Sequence, residues 1–289
     1  MRVGVLILPE DRWAVGREKW RRAERLGFDH AWTYDHIAWR SLRDSPWFGA
    51  VPTLTAAAVV TDRIRLGTLV ASPNFRHPVP FARELISLDD ISTGRLTLGI
   101  GSGAQGWDTT MLGHEPWSLA ERTERFAEFV DVLDRLLREP EVSFDGRHYT
   151  AVEARTYPGC MQQPRIPFAV AATGPRSMRL VARHASVWVT NGDRSHTGPP
   201  LGPDEGAELV RAQSVLFEEA CIAEQRDPST IDRLVLTGPR LDAGLQSPQA
   251  FDEVKDAYAA AGTTDLVIPW PRAGEPYAGD QSILEHIML

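Results

Sequence analysis

Pro80-Phe-Ala-Arg-Glu-Leu-Ile-Ser-Leu-Asp-Asp-Ile91 leads through Ser92-Thr-Gly-Arg95 into Leu96-Thr-Leu-Gly-Ile-Gly-Ser-Gly103. The first stretch reads as a helix. The last reads as a short strand, Leu96–Ile100, with no polar alternation, as expected of a parallel strand buried on both faces. It ends in glycines at alternate positions, Gly99, Gly101 and Gly103.

The same unit recurs in both directions. Apolar runs lie at residues 3–8, 30–34, 64–71, 167–172, 186–190, 234–236 and 266–269. Helix-like segments at 17–26, 52–60, 119–137, 176–184, 205–223 and 249–260 separate them. The clearest is 119–137, where Phe126, Phe129, Val130, Leu133 and Leu137 share one helical face and Ser118 with Glu121 makes a capping box. Such alternation fits a closed barrel or an open doubly wound sheet, and a count of eight strands favours the barrel. We therefore expect one (β/α)8 TIM-barrel domain over residues 1–289. Residues 140–164 form an insertion before strand five, with Asp145-Gly146 as a tight hairpin turn. The Gly- and Pro-rich stretch 193–203 reads as a mobile loop.

A formal net charge of −8 argues against a nucleic-acid or anionic-membrane binder. The cysteines, Cys160 and Cys221, form no CxxC pair and read as free thiols in a reducing cytoplasm. The apolar N-terminus stops at Pro9-Glu10-Asp11, which reads as a buried strand rather than a leader, and no run is long enough to span a membrane. The tryptophans are scattered and read as packing. His114, His148, His184 and His196 lack metal-ligand spacing, and there is no nucleophile elbow or Ser/His/Asp set.

A barrel places its active site at the C-terminal ends of its strands. Asp35-His36, followed by Trp39, comes after strand two, where the histidine serves either proton transfer or loop anchoring. Ser72-Pro73-Asn74-Phe75-Arg76 follows strand three. Gly101-Ser102-Gly103 follows strand four and admits a flat ligand or a phosphate, although it is not a GxGxxG fingerprint. Thr173-Gly174-Pro175-Arg176 follows strand five and opens a helix, whose N-terminus is an ordinary cap or an anion site. Thr190-Asn191-Gly192 follows strand six. Two such turns could cradle one phosphate.

These segments resemble the luciferase-like monooxygenase superfamily, most closely its actinobacterial branch that uses the deazaflavin coenzyme F420. The resemblance runs through Ala23 to His36, Arg63 to Val70, Asp89 to Gly103, Pro167 to Gly174 and Val187 to Gly192. It implies a (β/α)8 barrel, often dimeric. It also implies a non-proline cis peptide at Leu69–Val70, where Leu69, Val70 and Ala71 would support the cofactor ring. Asp35 and His36 match the pair facing the cofactor in the glucose-6-phosphate dehydrogenases of that branch. Thr173-Gly174-Pro175 and Thr190-Asn191-Gly192 match the loops that hold the cofactor's phosphate, Arg176 adds a cation in the first helical turn, and Gly101, Ser102 and Gly103 at their strand end are the further cofactor-binding positions. Two positions depart. Ala104 stands where those dehydrogenases carry a proton-donating glutamate, and Asp193, beside Arg194, where they carry a lysine.

The resemblance therefore implies an oxidoreductase that moves a hydride between C5 of F420 and a small organic substrate. Asp35 and His36 would be catalytic, and no metal is required. The alternatives are an FMN-dependent monooxygenase using reduced flavin and oxygen, and a barrel that binds flavin or ligand without turnover. The resemblance further implies a homodimer served by a separate flavin or F420 reductase, and the free thiols imply a cytoplasmic location.

Overall fold

A computed structural model describes residues 1–192, 199–238 and 240–288. Eight of its strands close a barrel: β1 (Arg2–Leu6), β2 (His30–Thr33), β3 (Arg65–Thr68), β4 (Leu96–Ile100), β7 (Phe168–Ala171), β8 (Val187–Thr190), β9 (Asp232–Leu236) and β10 (Asp265–Pro269). Around the barrel they run β1-β10-β9-β8-β7-β4-β3-β2. The pairs β1–β2, β1–β10, β10–β9, β9–β8 and β3–β4 are all parallel. Every residue of β4 and β10 is buried, which explains their unbroken apolar character. The expected barrel is therefore the fold.

The helices are α1 (Trp13–Arg25), α2 (Ala50–Val60), α3 (Pro78–Ile91), α4 (Trp107–Thr110), α5 (Leu119–Arg138), α6 (Pro175–His184), α7 (Pro203–Ala223), α8 (Pro248–Ala260) and α9 (Ile283–Ile287). Four of them begin on a proline, where the missing N–H is one the helix could not have bonded. That is why α3, α6, α7 and α8 start one or two residues before the expected positions. One half of the expected capping box appears at α5: Ser118 Oγ accepts from Glu121 N at 3.2 Å, while the Glu121 carboxylate accepts from Arg125 Nε at 3.2 Å. Short α4 and α9 carry no periodicity long enough to read in sequence.

The chain forms two compact units. One comprises Met1–Leu8, Lys19–Trp32 and Val170–Leu289. In it Trp188 of β8 stacks on Phe217 of α7, with centroids 5.2 Å apart and planes 9° from parallel. The other comprises Pro9–Glu18 and Thr33–Ala169. It carries the apolar contact of Phe81 with Phe129 and the expected insertion, an antiparallel hairpin of β5 (Glu141–Asp145) and β6 (Thr150–Arg155).

The hairpin turn differs from the expected two-residue Asp-Gly turn. Four residues, Gly146 to Tyr149, connect the strands, closed by Gly146 N donating to Tyr149 O. Glu128 of α5 accepts from Arg147 N, His148 N and Tyr149 N, so a side chain from outside satisfies this longer loop. Of the stretch expected to be mobile, residues 193–198 lie outside those described, and α7 begins at Pro203. Among the described residues no helix is long and apolar enough to cross a membrane.

Candidate active site

Chain direction puts Asp35 and His36 just past the C-terminal end of β2. Their environments differ sharply. The Asp35 side chain is 2% exposed, and both its oxygens face Arg76: Nε to Oδ2 at 2.9 Å and Nη2 to Oδ1 at 2.7 Å. Burial opposes the Arg76 charge, but the bonds to Asp35 and the charges of Asp35 and Glu84 hold its pKa above the ordinary arginine value. Arg76 also lies over the Phe75 and Phe81 rings. Asp35, which the resemblance paired with His36, is thus the closed half of a buried bidentate pair.

His36 is one quarter exposed, and its Nδ1 lies 2.6 Å from Asp108 Oδ2. The other Asp108 oxygen accepts from Ile37 N at 2.8 Å. The His36 carbonyl accepts from Trp47 Nε1 at 2.9 Å, and Trp47 stacks on Trp39, which packs against Tyr34. Nδ1 is therefore engaged, and among the described residues Nε2 has no partner. Sequence reading missed Asp108. It lies 72 residues from His36, and no local spacing links them.

Past β3 the Leu69–Val70 peptide is cis. Ladder geometry stops at Thr68 and resumes at Ala71, which bridges to Ile100, so the strand is shorter than the apolar run 64–71. Leu69 is buried and Val70 half-buried. Next along the chain, the buried Ser72 Oγ and Asn74 Oδ1 have no hydrogen-bond partner among the described residues. Asn74 Nδ2 donates to Ala104 O at 2.8 Å, and Arg122 donates to Gly103 O.

The glycines after β4 are required sterically. A Cβ on Gly99 would lie 1.9 Å from Thr68 O. Gly103 has φ +70°, and a Cβ there would lie 2.6 Å from the Asn74 side chain. Gly101 is buried and Ser102 half-buried. Ala104 is exposed and offers no titratable group.

Thr173, Gly174, Pro175 and Arg176 form the turn into α6, in the other unit. Gly174 is the N-cap without a side-chain cap, so the first-turn N–H groups have no intrahelical acceptors. Arg176 is exposed and has no partner among the described residues. Thr190, Asn191 and Gly192 follow β8. Thr190 Oγ1 donates to Gln213 Oε1 at 2.6 Å and accepts from Gly192 N at 3.2 Å, while Gln213 Nε2 donates to Gly192 O at 2.9 Å. Gln213 on α7 thus locks the turn, a role no motif announced. Asp193, Arg194 and His196 lie outside the described residues.

A flavin-type cofactor asks for close backbone approach to a flat ring, polar atoms at its edge and N–H donors for phosphate. In the unit of Thr33–Ala169 the Gly99–Gly103 backbone and the orphaned Ser72 Oγ and Asn74 Oδ1 meet the first two demands, and in the unit of Val170–Leu289 the first turn of α6 presents N–H donors of the third kind.

The family profile described as luciferase-like monooxygenase matches residues 1–198. An F420-dependent glucose-6-phosphate dehydrogenase of Intrasporangium calvum is 34% identical over 220 residues, 74% of this chain and 61% of that enzyme. An F420-dependent hydroxymycolic acid dehydrogenase of Mycobacterium tuberculosis is 28% identical over 250 residues, 84% of this chain and 60% of that enzyme. The chain thus spans about three fifths of the length of these relatives. The solved structure of an F420-dependent secondary alcohol dehydrogenase with an F420–acetone adduct superposes with a TM-score of 0.78 at 19% identity, covering 99% of this chain and 96% of that one. The profile match and the identity to these relatives show that the chain belongs to the luciferase-like monooxygenase family.

Proposed function

We propose that this protein is an oxidoreductase that uses coenzyme F420 to exchange a hydride with a small organic substrate. The observation that carries the proposal is His36, held by Asp108 through Nδ1 with Nε2 unengaged at a strand end. Relatives over most of the chain are F420-dependent dehydrogenases by name. When bound, F420 would give or take the hydride at C5.

The chain's own residues do the rest. Leu69, Val70 and Ala71, with Gly101, Ser102 and Gly103, border the ring. Ser72 and Asn74 offer their free oxygens to its polar edge. Thr173, Gly174 and Arg176 would take phosphate on backbone N–H groups, with Pro175, which has none, opening the helix, and Thr190, Asn191 and Gly192 held ready by Gln213. His36 Nε2 carries the proton: it donates when substrate is reduced and accepts when substrate is oxidised. Asp35 positions the loop after β3 by fixing Arg76. With Ala104 supplying no acid, His36 is the proton-transfer group, and glucose 6-phosphate is not the substrate we propose.

Fluorescence titration with F420, and separately with FMN, tests the reading. Saturable quenching by F420 in the micromolar range or below is expected. Saturation by FMN alone would assign the monooxygenase chemistry in the family's name, and binding of neither would overturn the proposal. The two free thiols fit a reducing cytoplasm. Light scattering checks the homodimer that the resemblance implies, and added reductase checks how the cofactor is recycled.

A further inference from the structure

We infer that Asp108 is the positioning residue for His36: it fixes the neutral ring as the Nδ1–H tautomer and leaves Nε2 as the atom that exchanges the proton. This rests on the proton role proposed above for His36. The geometry is specific. Asp108 is buried, and its carboxylate clasps two successive residues of the loop after β2, with Oδ1 on the backbone N–H of Ile37 and Oδ2 on the ring of His36. A carboxylate only accepts, so the proton between it and the ring belongs to Nδ1. Asp35, the neighbour in sequence, cannot do this because Arg76 occupies both its oxygens.

The charged and titratable groups around the ring are few. Asp108 is bonded to it, Tyr34 meets it edge-on at 6.1 Å between centroids, and the Asp35–Arg76 pair is closed on itself one residue away. Arg43 stacks over Trp107, the residue before Asp108, with 3.8 Å from guanidinium carbon to ring centroid. Asp108 is therefore the only hydrogen-bond partner of the ring among the described residues, and it sets both orientation and proton position.

Substituting Asp108→Asn makes a sharp test, because an amide both donates and accepts. Its oxygen can keep Ile37 N–H, which turns its NH2 toward Nδ1. Nδ1 must then accept, and the ring proton moves to Nε2. Long-range proton–nitrogen NMR on uniformly labelled protein reads this directly, without cofactor. The measurement belongs on the alkaline plateau where the ring nitrogen shifts no longer change with pH, and His36→Ala identifies the resonances. The wild type should show the Nδ1–H pattern and Asp108→Asn the Nε2–H pattern. With F420 loaded, kcat should fall about 10²-fold or more in Asp108→Asn while KM moves by less than about threefold, because tautomer matters to proton transfer rather than to binding. An Nε2–H pattern in the wild type would overturn the inference, as would an unchanged pattern with unchanged kcat in a folded Asp108→Asn. The wild-type spectrum decides the matter even if the variant does not fold. Absence of F420 binding with the expected tautomers would remove the cofactor reading and leave the pairing intact.

Discussion

His36 and Asp35 stand next to each other, yet their partners send them to different work. His36→Ala should lower turnover about 10²-fold or more, the usual size of an acid–base contribution. Steady-state kinetics check this, and turnover within twofold of wild type in a folded variant excludes the proton role. Asp35→Ala should act on stability first. It leaves the Arg76 side chain, 14% exposed, with its charge buried and, among the described residues, only Glu84 as an ionic partner, at a cost of about 3 kcal/mol. Urea denaturation measures that loss. A variant as stable as wild type would return Asp35 to the list of groups free for chemistry. The buried His30 shows the same dependence on partners. Trp32 Nε1 donates to its Nδ1, so the ring proton sits on Nε2 and goes to Asp265.

Whole elements place these residues through a few joints. The hairpin is tied to α5 by Glu128, which accepts from the three successive N–H groups of Arg147, His148 and Tyr149. Glu128→Ala should destabilise the protein by about 2 kcal/mol, since part-buried donors lose their acceptor. Hydrogen exchange should then rise at those amides while β4 stays protected; unchanged exchange would mean the loop holds itself. The loop after β4 meets a different constraint. Gly103→Ala forces a side chain into the left-handed region and against Asn74, so we expect about 1–3 kcal/mol lost and weakened cofactor binding together. Fluorescence titration alongside thermal melting checks both. Retained affinity at full stability would show that this backbone does not approach the ring.

For the whole molecule, closure of β1 onto β10 joins residues 263 positions apart, through Arg2 bonded twice to Asp265 at 2.6 Å. Burial pushes the Asp265 carboxyl up, but hydrogen bonds from Arg2, His30 and Thr264 outweigh it and hold the group well below the ordinary carboxylate range. A carboxyl depressed in the folded state stabilises fully above its unfolded pKa of about 4, and that contribution disappears as pH falls below it. Stability measured by denaturation across acid pH should therefore drop below about pH 4, and Asp265→Asn should be less stable at neutral pH with a shallower acid limb. An unchanged limb would mean that other carboxylates govern acid unfolding.

Most of the architecture was legible in the chain because it follows from local rules. Unbroken apolar runs mark strands buried on both faces, a 3.6-residue period marks α5, and a count of eight alternations marks the barrel. The glycines of Leu96–Gly103 were equally legible, since a glycine before a turn states a steric need on its own. Boundaries moved where the rule is positional, as at the prolines that open α3, α6, α7 and α8. The pairings in the site were not legible. Asp108 meets His36 across 72 residues and Arg76 meets Asp35 across 41, and no periodicity connects such partners. What a carboxylate does depends on which donor the folded chain brings to it. Residue types and strand ends could therefore be read before folding, whereas the choice of Asp108 over Asp35 as the partner of His36 belongs to the tertiary structure alone.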